Sequence, residues 1–204
     1  DLAAIERILL REPSLCYKLL RYLNSAIFYF HGPITSIRHA LSLLGMQEVR
    51  KWISIITLAS MGEEKPDALV VTSVIRAKFC ESIARAAGQT PHCTDCFLTG
   101  LFSLIDAILD KPMETLLSEL PISEEIQSAL LGKESHCLPV LDLVCAYEKS
   151  DWDRVSIIAG ALNLEEARIT QSYIDSISWF QEIAAADAPA SEPDARAQLL
   201  LETH

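Results

Sequence analysis

The sequence predicts an all-α fold built from helices of irregular length. Three observations carry this. Apolar residues recur at three- and four-residue steps along most of the 204 residues. No segment alternates apolar and polar residues as a half-buried strand does. Half of the residues are hydrophobic, while only 7 glycines and 9 prolines punctuate the chain. That composition supplies a core and excludes a disordered chain.

Taken in order, Leu2, Ile5, Ile8 and Leu9 open the helical pattern. Pro13 suits the first position of a second helix, which runs through Leu15, Leu19, Leu20 and Leu23. Asn24 and Ser25 weaken it, and the AIFYFHGP segment at 26–33 reads as an aromatic loop. Thr35 or Ser36 can cap a short helix that stops at Gly45. The next helix, 47–61, shows a stripe of Val49, Trp52, Ile53, Ile56 and Ala59. A long helix follows over 67–87 and ends at Gly88.

QTPHCTDC is expected as a loop, and 97–109 as one helix that is apolar nearly all round. Such a helix belongs in the centre of the core. Short helices follow at 113–120 and 123–131, then 140–148 and 152–162. Asn163 to Glu166 has the form of a capping box for a helix reaching about residue 183. One helical domain is therefore expected over 1–183, with subregions 1–62 and 63–183. Residues 184–204, rich in Ala, Pro and acid, read as a mobile tail.

The formal net charge is −11. Residues 1–61 carry 7 basic and 4 acidic residues, and the rest carry 10 and 24. The excess of acid opposes a broad nucleic-acid interface. No run of about 18 uncharged apolar residues exists, so no membrane span is predicted. Six cysteines lie mostly within apolar helical pattern, and no signal peptide precedes them. A reduced, cytoplasmic setting is expected. The chain opens at Asp1 directly in helical pattern, which reads as part of a longer protein.

Catalytic metal in a helical domain of the HD type needs a His-Asp pair on a buried helix. None of the five histidines is followed by Asp. The apolar helix offers Ser103 and Asp106 instead. Asp106 is expected to be buried and paired with Arg76, within a polar network that includes Glu81 and Asn24. The alternative is a solvated Asp106 at a helix edge. Cys93 and Cys96 have the spacing of half a zinc site, which His136 and Cys137 could complete. With no second Cys-x-x-Cys, a helix-entry loop that happens to hold thiols is the plainer reading. Arg38, His39, Arg50 and Lys51 flank a helix, turn and helix that could read DNA, but the net charge and the apolar stripe oppose this. No Gly-rich phosphate loop and no nucleophile elbow occur.

Several segments together resemble the HDOD family, the HD-related output domains of bacteria. These are REPSLCYKLLRYLNSA, ITSIRHALSLLGMQEVRKWISI, IRAKFCESIA, FLTGLFSLIDAIL and METLLSELPISEEIQSALLG. GLFSLIDAIL, LPISEEIQSALLG and YIDSISWFQEI are similar to the branch found after an EAL domain. The resemblance covers about residues 1–183. It implies an all-helical, HD-like fold whose metal ligands are lost, with Ser103 and Leu104 standing where HD enzymes carry His-Asp. It implies structural or partner-contact roles for Asn24, Ser25, Ser36, Leu44, Gly45, Arg50, Arg76, Glu81, Gly100 and Asp106.

The expected function is that of a non-catalytic signal-output or protein-interaction module, without cofactor, coupled to an upstream EAL domain or another protein. Homodimerisation is a further option. Phe28, Tyr29, Phe30, Arg38, Arg50 and Lys51 are the expected contact residues. The rival is a degenerate phosphohydrolase acting through Glu81 and Asp106.

Overall fold

A computed structural model describes residues 37–61 and 67–187, with side chains over 41–61 and 67–185. Contacts divide the chain into two compact units, Leu41–Phe180 and the joined segments Asp1–Ala40 and Gln181–His204. The helices expected before residue 37, the aromatic loop and residues 188–204 of the tail lie outside the described residues. Apart from the outer ends of the first and the last, the described helices all belong to Leu41–Phe180.

Among the described residues there are nine α-helices, one 3-10 turn and no strand. They are α1 (Ile37–Met61), α2 (Asp67–Ala86), the 3-10 turn Thr90–His92, α3 (Cys93–Phe102), α4 (Ile105–Leu109), α5 (Met113–Glu119), α6 (Glu124–Leu130), α7 (Leu138–Glu148), α8 (Trp152–Ala161) and α9 (Glu166–Asp187). As expected, helical geometry stops at Gly45 (φ 73°, ψ 165°), so α1 consists of two helical stretches that meet there across a kink. The buried stripe of α1 is Val49, Trp52, Ile55 and Leu58. It is rotated by one residue from the expected Ile53, Ile56 and Ala59, which brings Lys51 inward.

Five helices end in the same way. A residue with positive φ follows the helix, and the next N–H returns to a carbonyl five residues back. Gly88, Asp110, Gly132, Ser150 and Asn163 take that role after α2, α4, α6, α7 and α8. Asn163 (φ 55°) therefore closes α8, with Leu164 N–H donating to the Ala159 carbonyl at 2.9 Å. The expected capping box is not formed, because an Asn at positive φ is already committed to the preceding helix. α9 begins at Glu166 and continues to Asp187, four residues past the expected end; the Ala run there favours helix.

Two apolar clusters share α2. Val74 and Ala77 pack with Ile55, Leu58, Phe97, Leu98, Leu101, Ile105 and Ile108. Phe79, Cys80, Ile83 and Ala84 pack with Val140, Leu143, Val144, Val155, Ala159 and Ile169. α2 meets α3 at Gly100, where an added Cβ would lie 2.8 Å from the Arg76 carbonyl oxygen and 2.9 Å from Ala77 Cα. Only glycine permits that approach.

Candidate functional site

Helix α2 runs through the apolar core yet buries Arg76 and Glu81. A buried charge survives only when it is paired and hydrogen-bonded. Arg76 meets this by donating from Nε (3.0 Å) and Nη2 (2.6 Å) to the Glu148 carboxylate at the end of α7. Its Nη1 donates to Ser103 Oγ at 2.8 Å. Burial would lower the Arg76 pKa, but Glu148 outweighs it and the guanidinium is held above its ordinary value.

Ser103 sits where the expected long apolar helix breaks into α3 and α4. Its hydroxyl donates to the Gly100 carbonyl at 2.7 Å, competing with the backbone ladder at the helix end. Leu104 then leaves helical geometry at φ −122° and ψ 13°. The restart turns Asp106 to solvent. The expected Asp106–Arg76 pair is therefore corrected: Asp106 is exposed, and Glu148 takes the guanidinium.

A second network surrounds Glu81, which is 3% exposed. Its carboxylate accepts from Lys51 (2.9 Å), Lys78 (2.9 Å) and Arg85 (3.1 Å). Burial alone would raise this carboxyl, but Lys78 and Lys51 override it and hold the pKa at about 2. Lys51 also pairs with Glu48 and lies 5.4 Å from the centre of the Phe97 ring. Lys78 lies 5.2 Å from the centre of the Trp179 ring.

The expected contact residues separate. Lys51 is corrected from a surface contact to an internal ion pair, because it shares the buried side of α1 with Ile55 and Leu58. Arg50 is exposed. Arg38 lies on α1, but its side chain is outside the described residues, as are Asn24, Phe28, Tyr29 and Phe30. Glu148 escaped the sequence reading because it is 72 residues from Arg76 and is one acidic helix-end residue among many. Lys51 left a signal, its i, i+4, i+7 spacing with Ile55 and Leu58.

The His/Cys motif folds differently from the expected loop. Cys93 and Cys96 form the first turn of α3. Cys96 Sγ donates to Cys137 Sγ at 3.4 Å, and the His92 and His136 rings stack with centroids 4.6 Å apart. The bond to Cys137, together with burial, raises the Cys96 thiol, and accepting that bond lowers Cys137. Cys93 donates instead to the Gln89 carbonyl at 3.7 Å. Among the described residues, no group of three or more His, Cys, Asp or Glu is arranged to hold a metal ion.

The charged groups of both networks are thus neutralised in place. Ser103 Oγ faces a guanidinium and a carbonyl, neither of which can take its proton as a general base. The arrangement joins α1, α2, α3 and α7 by directional contacts between fixed charges. No helix among the described residues is long and apolar enough to cross a membrane.

A family model described as HDOD domain matches residues 1–131. The chain is 35% identical over 179 residues to the uncharacterized protein YuxH of Bacillus subtilis (strain 168), covering 86% of this chain and 43% of that protein. It is 32% identical over 183 residues to the cyclic di-GMP phosphodiesterase CdgJ of Vibrio cholerae serotype O1, covering 90% of this chain and 42% of that protein. The chain spans less than half the length of these curated relatives. No solved structure matches it.

Proposed function

The chain belongs to the HDOD domain family, and from that premise we propose that it is a non-catalytic signal-output module of a bacterial cytoplasmic signalling protein. It acts by contact with a protein partner or with an upstream EAL-type domain. The observation that carries the non-catalytic part is the Arg76–Ser103 bond. At the position where HD enzymes keep a His-Asp pair, this chain has a serine whose hydroxyl is already used in holding helices together.

The link to cyclic di-GMP signalling rests on the V. cholerae relative, a phosphodiesterase by name, of which this chain matches less than half. The remaining length of such a relative leaves room for a catalytic domain. In this reading the nucleotide chemistry belongs to that other domain. The present module converts its state into a change of protein contacts. The ion networks on α2 would keep the module rigid enough to transmit a displacement.

The test has two arms. Phosphoester hydrolysis is assayed with Mg²⁺ and Mn²⁺ beside an active HD enzyme as positive control. Binding of the chain to the separately purified preceding domain is measured with and without cyclic di-GMP. The expected result is no metal-dependent turnover, with binding that changes on adding the nucleotide. Metal-dependent turnover that is lost in Asp106→Ala would overturn the reading in favour of a phosphohydrolase.

A further inference from the structure

A cavity of about 150 Å³ opens between the end of α7, the start of α8 and the start of α9. It lies beyond residue 131, in the part of the chain that the family match leaves out. Tyr147 and Trp152 form two walls, with ring centroids 5.4 Å apart and planes at 89°. Tyr147 is fixed from behind by Phe79 and Tyr173. Trp152 is 56% exposed, although a tryptophan on a helix facing an apolar core would ordinarily be covered. Glu166 supplies a carboxylate at the rim.

Several features select the occupant. Glu166 accepts from Ser156 at 3.0 Å and has no cationic partner among the described residues. An unpaired carboxylate beside an exposed indole attracts a cation, because the charge and the quadrupole of the ring face act in the same sense. The neighbourhood is acidic: residues 147–175 hold six acidic and three basic residues. Of those three, Arg154 is already paired with Asp142 at 3.1 Å. The cavity is well below the roughly 300–1,000 Å³ of sites for drug-sized ligands, so it fits a single side chain. Ser156 takes one oxygen of Glu166, which leaves one for the guest. That suits the point charge of an ammonium better than the two-pronged guanidinium.

We propose that this pocket receives a lysine side chain of a protein partner, its ammonium held between the Glu166 carboxylate and the aromatic wall formed by Tyr147 and the exposed Trp152. The partner rests on the interaction-module reading above. A small-molecule probe tests the pocket alone, so its failure would leave the domain-binding test of that reading standing.

The whole chain, labelled with ¹⁵N, is titrated with Nα-acetyl-lysine methylamide. The same compound acetylated on Nε serves as the uncharged control. The indole N–H of Trp152, one of three tryptophans, is followed by NMR. The expected result is a saturating shift of the Trp152 signal, with the acetylated control at least about tenfold weaker. Glu166→Gln is expected to weaken binding by about fivefold, read from Trp152, and Trp152→Leu to abolish the saturating shifts of the Ser156 and Thr170 backbone amides that line the same cavity, with both variants keeping the melting temperature of the parent. Equal response to the two probes, no saturation, or a shift confined to Trp52 and Trp179 would overturn the proposal.

Discussion

Arg76 Nη2 lies 2.6 Å from Glu148 Oε2, so two residues 72 positions apart in sequence join α2 to α7. The pair is bidentate through Nε and Nη2, while the remaining nitrogen reaches Ser103. The value of such a contact lies less in net attraction than in the cost of breaking it.

Glu148→Ala leaves the Arg76 guanidinium in the core without its counter-charge. The expected loss is about 3 kcal/mol, the low end for a buried pair, because about a fifth of the Glu148 side chain is exposed. Asp106→Ala is expected to change stability by no more than about 0.5 kcal/mol, as for an ordinary surface site. Urea unfolding of the two variants beside the parent checks both. A larger effect at Asp106 than at Glu148 would contradict the assignment of the pair.

Glu81 makes stability depend on pH. Its carboxyl is depressed from an ordinary 4.5 to about 2 in the folded chain. The unfolded chain therefore takes up the proton first as pH falls. The stabilisation is fully present above about pH 5 and disappears as pH approaches 2, and its size is on the order of 3 kcal/mol. Glu81→Gln is expected to flatten this limb. Its deficit relative to the parent should be largest near neutral pH and shrink between pH 5 and 2, read from urea midpoints across that range.

The thiols offer a check on metal. Cys96 and Cys137 touch, but among the described residues no group of three or more His, Cys, Asp or Glu is arranged around them to hold a metal ion. Purified protein is expected to contain no stoichiometric zinc by elemental analysis, and chelator is expected to leave the melting temperature unchanged. One zinc per chain, with a chelator-sensitive melting temperature, would reverse this.

How much of the fold was legible in the sequence depended on range. Gly88 announced the end of α2 because a positive-φ terminator is a local need that glycine meets. The apolar character of 97–109 was legible too, and Phe97, Leu98, Leu101, Ile105 and Ile108 are all buried. The break after Ser103 is not legible, since a serine in an apolar helical run does not reveal whether its hydroxyl will turn back to the carbonyl three residues before it. Asp106 is exposed because its expected burial needs a helix continuous through Leu104, and the break removes that continuity. Asn163 misled because an Asn before an acidic turn can serve either the helix behind or the helix ahead. The choice follows from packing of α8 and α9, which no local pattern records. Lys51 shows the intermediate case, a readable spacing overridden by the assumption that a lysine beside Arg50 faces water.

Two glycines should respond in opposite directions to the same substitution. At Gly100 an added methyl meets backbone atoms of α2 at 2.8 and 2.9 Å, and a backbone cannot step aside as a side-chain tip can. Gly100→Ala must push α2 and α3 apart, which also stretches the Arg76–Ser103 bond across the same crossing. A loss of about 2–3 kcal/mol is expected. Gly160 lies inside α8 with no atom within 4 Å of the added methyl. There the substitution only removes the backbone freedom that glycine loses on folding, so Gly160→Ala should gain up to about 1 kcal/mol. Thermal and urea unfolding of both variants decides it. A stabilising or neutral Gly100→Ala would mean that α2 and α3 do not approach closely at this residue, and the placement of Ser103 against Arg76 would fall with it.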